Sequence, residues 1–413
     1  MVLGGLSRIG VILLLLISQA DAQTTEPRGI CTVKIAGKPE GKSQARTYLG
    51  IQLLPDKIFQ GSVDGVTGEA LSFLGLESPA GLNEPGKAFY IHVLDGTGRG
   101  FISNVAEFRT NDILCEDPLE DWMEAGTQVL IRPHSRIEDI FGADNRFGLG
   151  EGIEAEAADN VVLWDQAAQQ ERVYYFNSER ERWEQSGIAA DASQALVRFP
   201  LGLYIVRRHA GNLRLALSGE IAAEPILLPA RTGANVFSLP INLSSSLTGL
   251  IPTTGSFAPV SGPNTTRADL VTLEEPNGTR RGPFYSSSRA SAEGWREIGV
   301  NGSNDASQPF DFLSTLILER QGQASYVLAE GSLVAGTPFI LPPDPEPDEI
   351  PLMGEIPRFP IPPGVTLAVE VSTDLQTWAF HSDVTIDGSN YRFPLPAGQT
   401  RAFYRLRLSP PGG

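Results

Sequence analysis

The sequence predicts a mainly β protein: duplicated antiparallel units in a sandwich or partly closed barrel, with a few short helices, a proline-rich linker and a small C-terminal β module. Three observations predict it. Short runs of Val, Ile, Leu, Tyr and Phe end at turn residues every 8–12 positions or so, roughly the spacing of an all-β chain. With 43 Gly and 31 Pro among its 413 residues, the chain has turns in abundance but stays outside the low-complexity range. A block of motifs also recurs at an offset of about 110 residues, the mark of a duplicated unit.

Residues 1–22 read as an export signal. Arg8 precedes the apolar run Ile9–Ile17, and Ala20-Asp21-Ala22 has the small-x-small cleavage pattern, which would leave Gln23 first. That run is too short to span a bilayer as an anchor, and no later segment approaches the ~18 apolar residues of a membrane helix.

Residues 23–142 form an N-terminal β region. It carries the two cysteines, Cys31 and Cys115, and in an exported chain an even pair is expected to form a disulfide. Closing that long loop would stabilise the fold by ~4.5 kcal/mol in the chain-entropy model. Asp64-Gly65 reads as a hairpin turn, because Asp and Gly tolerate positive φ. Asp95-Gly-Thr-Gly-Arg-Gly100 reads as a hairpin loop; no helix follows it to make a phosphate cradle. Two short helices are expected. One is capped by Asp117 and ends near Gly126. The other follows the capping box Ser135-Arg-Ile-Glu138 and stops at Gly142.

The repeat units span residues 143–230 and 231–341. Asp159-Asn-Val-Val-Leu163 matches Asp269-Leu-Val-Thr-Leu273. Tyr174–Phe176 matches Pro283–Tyr285, Trp183–Gly187 matches Trp295–Gly299, and Leu203–Arg208 matches Thr315–Arg320. Asn277-Gly278 marks a hairpin in the second copy. Gly126–Pro133 fits the end of an earlier, diverged copy.

Residues 342–364 form a linker; nine prolines and five acids between 342 and 363 keep it extended. Residues 365–413 form the small β module, with a hairpin at Asp387-Gly388.

Charge narrows the function. The net charge of −17 argues against nucleic acid and anionic membrane surfaces as partners. All five lysines (Lys34, Lys38, Lys42, Lys57, Lys87) precede residue 88, so the remainder of the chain cannot supply a Schiff-base or phosphate-loop lysine. The histidines His92, His134, His209 and His381 lack metal-ligand spacing, and no Gly-x-Ser-x-Gly elbow marks a nucleophile.

Glu151, Glu154, Glu156 and Asp159 could include a glycosidase acid and base, but read more simply as a solvated acidic face. No cofactor is expected. Calcium is the one cation with candidate ligands, in Asn301-Gly-Ser-Asn-Asp305 and Asp344-Pro-Glu-Pro-Asp348, neither of which has a complete loop spacing. Trp183 and Trp295 recur at one place in the repeat. Recurrence favours core packing; an aromatic platform for a ligand is the other reading.

Several motifs carry a resemblance. Thr47-Tyr-Leu-Gly-Ile-Gln-Leu53, Val129-Leu-Ile-Arg132, Tyr174-Tyr-Phe176 and Gly294-Trp-Arg-Glu-Ile-Gly299 resemble a paralogous family of exported proteins abundant in Verrucomicrobia and related bacteria, over roughly residues 44–340. Glu370-Val-Ser-Thr-Asp-Leu-Gln-Thr-Trp378 and Phe403-Tyr-Arg-Leu-Arg407 are similar to a C-terminal module of secreted proteins from the same bacteria. The resemblance implies location and architecture only, since it brings no established activity. The cysteine pair and the acidic proline-rich linker depart from the family pattern.

The expected function is that of an exported, non-enzymatic β-rich protein of the envelope or cell surface. It would be cell-surface, outer-membrane associated, periplasmic or extracellular, and would act by structure or by binding a glycan or a surface protein. The alternative is a secreted polysaccharide-active enzyme using paired carboxylates.

Overall fold

The computed structural model describes residues 23–24, 28–51, 53–73, 87–109, 112–221, 224–239, 247, 250–252, 268–275, 279–287, 294–300, 314–322, 325–329, 353–357, 366–372, 378–381, 384–387, 390–394 and 401–409. Among the described residues strand makes up 57% and helix 2%, so the fold is mainly β with antiparallel sheets. The chain divides into two compact units. One comprises residues 32–336, and the other residues 1–31 together with 337–413.

Three sheets of the larger unit share one plan. Asn160–Asp165, Gln170–Asn177 and Arg182–Gln185 form a meander, and Leu203–Arg207 returns to pair with its first strand. Leu270–Glu274, Arg280–Ser287, Gly294–Glu297 and Thr315–Arg320 repeat this arrangement. Phe89–Val93, Ile102–Phe108, Asp112–Cys115 and Gln128–Pro133 form it a third time. Each set is a Greek key, with the fourth strand beside the first. One more strand flanks the returning strand in every copy: Ala45–Leu49, Gly233–Ser238 and Phe59–Ser62, respectively.

Cross-strand pairing shifts the repeat alignment by one residue in two places. Asn160 faces Val206 and Leu270 faces Glu319, so Arg207 rather than Arg208 corresponds to Arg320. Val161 faces Tyr174 and Val271 faces Phe284, so Tyr174 corresponds to Phe284 rather than Pro283. A one-residue slip would turn each side chain to the other face, so the pairing decides the alignment.

The N-terminal sheet curls on itself. Its order runs Phe59–Ser62, Gln128–Pro133, Phe89–Val93, Ile102–Phe108, Asp112–Cys115, Ala70–Ser72, Gly65–Thr67. Val63 and Asp64 alone join its two edge strands, so the ends being joined lie within ~11 Å of each other. Phe89, Ile91, Val93, Ile113, Val129 and Ile131 fill the interior. Asp64-Gly65 is thus the crossing between edges and not a hairpin turn. The hairpin lies further on, where Thr67 faces Ala70 and Gly68 takes φ 59°.

Only one of the two expected helices forms. Ile137–Phe141 is helical, but its cap is Arg136 rather than Ser135: the Arg136 N–H donates to Asp139 Oδ2 at 2.8 Å, and Gly142 ends the helix at φ 84°. Around Asp117 there is a single turn, closed by Met123 N–H to Leu119 O at 3.1 Å. The Asp117 carboxylate instead accepts from Ser103 Oγ at 2.8 Å, and Leu119 and Met123 enter the barrel core.

The expected disulfide is absent: Cys31 and Cys115 are buried and not bonded to each other. They belong to different sheets. Cys31 faces Arg401, whereas Cys115 faces Val105 and packs inside the curled sheet.

In the smaller unit, Thr366–Ser372 pairs with Ala379–His381 on one side and Arg401–Ser409 on the other. Gln23 and Thr24 pair with Leu408 and Arg407 at one end of that last strand, and Arg28 to Cys31 pair with Tyr404 to Arg401. A second sheet joins Met353–Pro357, Asn390–Pro394 and Thr385–Asp387. Ile30, Val369, Val371, Phe393, Tyr404 and Leu406 form the core. Thr385–Asp387 pairs with Asn390–Pro394, with Asp387 facing Asn390, in line with the hairpin expected at Asp387-Gly388; Gly388 lies outside the described residues. Met353–Pro357, within the segment expected as linker, is one of the strands. The signal segment 1–22, the remainder of 342–364 and Asn277-Gly278 lie outside the described residues.

Close approach makes one glycine a test of the packing. A Cβ on Gly219 would sit 2.5 Å from Leu54 O and 2.8 Å from Leu54 N. Gly219→Ala is therefore expected to destabilise the fold by about 1–3 kcal/mol in urea titration. A loss below ~0.5 kcal/mol, typical of a neutral surface change, would mean the Leu53–Leu54 backbone moves aside freely.

Candidate functional site

The larger unit carries a cleft of about 450 Å³, a size typical of small-ligand sites. Strand ends build it. Ile51 follows the strand Ala45–Leu49 and is held by its N–H donating to Ser238 Oγ at 2.8 Å. Leu53, Pro55 and Ile58 continue that wall, and Ala216 to Ser218 come from Leu213–Ile221, the strand that pairs with Leu53–Leu54. Phe89 begins one barrel strand and Pro133 ends the next, its direct partner. The chain then runs through His134, Ser135 and Arg136 into the helix, which adds Asp139 and Ile140.

Charge sets the cleft apart. Three cations line it, Lys87, Arg136 and Arg146, against one carboxylate, Asp139. The lining thus carries more cations than carboxylates, on a chain of net charge −17. Arg136 is anchored by Asp139 and Glu138, each at 3.2 Å, and also contacts Gln194. The guanidinium of Arg146 lies 5.3 Å over the Phe147 ring.

His134 is the cleft's one imidazole. Its Nδ1 accepts the Phe199 N–H at 3.2 Å, which places the ring proton on Nε2, donated to Asn104 Oδ1 at 2.9 Å. Burial, assisted by Arg198, lowers its pKa to about 3. With both nitrogens engaged and the ring neutral, it shapes the wall and is not set up as a base.

The arrangement can hold an anionic group against an apolar wall. Sequence reading did not find this site. Its residues come from five separated segments, and the Ser135–Glu138 stretch reads as a cap alone. Its cations Lys87, Arg136 and Arg146 lie apart along an acidic chain and form no local motif.

The structure separates the residues singled out from sequence. Trp183 is fully buried, packs against Phe141 and Phe176, and donates its indole N–H to Gly142 O at 2.8 Å. Trp295 is buried in the core cluster with Phe284 and Leu316. Both are core residues, as their recurrence favours, and have little surface left to act as an aromatic platform. In the acidic stretch, Glu151, Glu154 and Glu156 are exposed, while Asp159 is buried beneath Arg207 and His209.

His92 is buried with Nε2 donating to Pro225 O at 2.9 Å. The Asp95–Gly100 segment is a hairpin loop, with Asp95 Oδ1 accepting the Gln128 N–H at 2.8 Å. Asn301–Asp305 and Asp344–Asp348 lie outside the described residues. Among the described residues no three His, Cys, Asp or Glu side chains cluster closely enough for a metal ion, and no helix is long and apolar enough to cross a membrane.

Comparison with protein-family models, with curated proteins and with solved structures returned no match.

Proposed function

We propose that this is an exported, non-enzymatic β-rich protein of the envelope or cell surface that acts by binding a glycan or a surface protein. The observation that carries the reading is the cleft: three cations and one ion-paired carboxylate on an apolar wall, in a chain that is otherwise strongly acidic. Such a site favours an acidic group borne on an apolar body. A glycosidase would need two carboxyl groups about 5–9.5 Å apart. The cleft offers only Asp139 among the described residues, and Arg136 engages it. The paired-carboxylate enzyme is therefore the weaker reading.

Fractionation of the native host tests the location. The mature chain is expected on cells and to be lost after brief trypsin treatment of intact cells. Recovery of the intact chain in the medium would redirect attention to polysaccharide turnover.

The cleft has its own test, with anilinonaphthalene sulfonate as an apolar anion. Saturable binding is expected, weakened about tenfold (~1.4 kcal/mol) by Arg146→Gln at unchanged circular dichroism. Equal binding by the variant would remove the cleft from the proposal.

A further inference from the structure

The smaller unit presents a second surface, built from the two motifs of the tail. Glu370 faces Phe380 on one neighbouring strand and Arg405 on the other. Side chains alternate across a strand. Val369, Val371, Tyr404 and Leu406 fill the core, so Glu370, Arg405, Arg407, Trp378 and Phe380 share the opposite face. Glu370 is the base of this group. It accepts from Arg405 Nε at 2.6 Å and from Arg407 at 3.3 Å. Each arginine is in turn beside a ring: Arg405 lies 4.4 Å over Trp378, and Arg407 lies 5.8 Å over Phe380. Phe380 is 69% exposed, the largest exposure among the exposed large apolar side chains of the described residues.

We propose that this face binds an anionic polysaccharide of the polyuronate type. Pyranose rings carry apolar C–H faces that pack on the electron-rich face of an aromatic ring. Their carboxylates match the planar fork of arginine. Trp378 and Phe380 supply the first feature, and Arg405 and Arg407 the second. Among the described residues this face carries two arginines against one carboxylate, on a chain of −17, which is the charge complement of a polyanion. The competing occupant is an extended acidic peptide added to the sheet edge. Ala379–His381 is that edge but is only three residues long, a short template for backbone pairing. The proposal rests on the binding reading above but on a different site.

The test is affinity electrophoresis of the full mature chain in native gels containing polygalacturonate, dextran or polyglutamate. Retardation by polygalacturonate, reduced by salt, is expected, with none by dextran. Phe380→Ala should weaken it at least tenfold and Phe380→Tyr should keep it. Arg407→Gln should weaken it several-fold. Phe380 is exposed, so its replacement should leave the melting transition in place.

No retardation by polygalacturonate, equal retardation by dextran, or an unaffected Phe380→Ala variant would overturn the proposal. Retardation by polyglutamate alone would assign the face to an acidic peptide and overturn it too. If Arg146→Gln abolishes retardation while Phe380→Ala does not, the cleft is the binding site; the binding reading then stands and this face is excluded.

Discussion

Asp159→Ala is expected to cost the fold about 3–5 kcal/mol, the loss typical of breaking a buried ion pair from one side. Asp159 has no exposed side-chain surface, and Arg207, 4% exposed, holds Nε 3.2 Å from its Oδ2. The same carboxylate accepts the N–H groups of Gly150 and Arg208, each at 2.6 Å, and Nδ1–H of His209 at 3.1 Å. Alanine would leave a buried guanidinium and two backbone donors without their acceptor.

Asp269 occupies the same place in the second copy. It pairs with Arg320 at 3.0 Å and accepts the Gln321 N–H at 2.6 Å. Asp269→Ala should therefore act in the same direction. The double variant Asp159→Ala, Arg207→Met should recover part of the loss, because it removes the stranded charge. Urea unfolding of the single and double variants decides the matter. A single-variant loss under ~1 kcal/mol, the range of exposed pairs, would mean that water reaches the pair.

Acidification should destabilise the protein before its ordinary carboxylates titrate. Burial holds two histidines neutral: His92 is lowered to about 4, despite its bond to Pro225 O, and His134 to about 3. Both pKa values lie below that of an unfolded histidine, ~6.5. The unfolded chain therefore binds the extra protons as pH falls, and stability is full above ~6.5 and declines below it. The loss should be on the order of 3 kcal/mol per histidine by pH 4.

Urea midpoints at pH 7, 5.5 and 4.5 should fall steadily, and the double variant His92→Gln, His134→Gln should flatten the slope. A wild-type midpoint constant from pH 7 to 4.5 would show that protonated imidazole is accommodated at both places. Glu184 adds to the acid loss lower down. Burial opposes its ionisation, but Arg180, Arg182 and Asn177 together hold its carboxyl below the usual range.

Local pairing was legible in the chain. The hairpin at Asp387 pairs neighbours in sequence, so its turn residues announce it. Asp64-Gly65 carries the same signal but lies between strands whose partners are elsewhere: Phe59–Ser62 pairs with Gln128–Pro133, and Gly65–Thr67 with Ala70–Ser72. The caps misled for a related reason. Asp117 has the right spacing for a helix start, but Ser103, on a neighbouring strand, claims its carboxylate. Trp183 and Trp295 were correctly favoured as core residues, because recurrence in a repeat is what packing requires.

By itself the sequence determined the β character, the duplication and the shared Asp and Trp positions, because alternation and turn chemistry act over a few neighbouring residues. Tertiary structure alone decided the one-residue register of the repeat, the placement of Cys31 and Cys115 in different sheets, the curl of the N-terminal sheet and the cleft. Each depends on which distant strands pair. Strand order brings Ile51, Lys87, Arg136, Arg146 and Leu217 to one place, and no local pattern encodes that order.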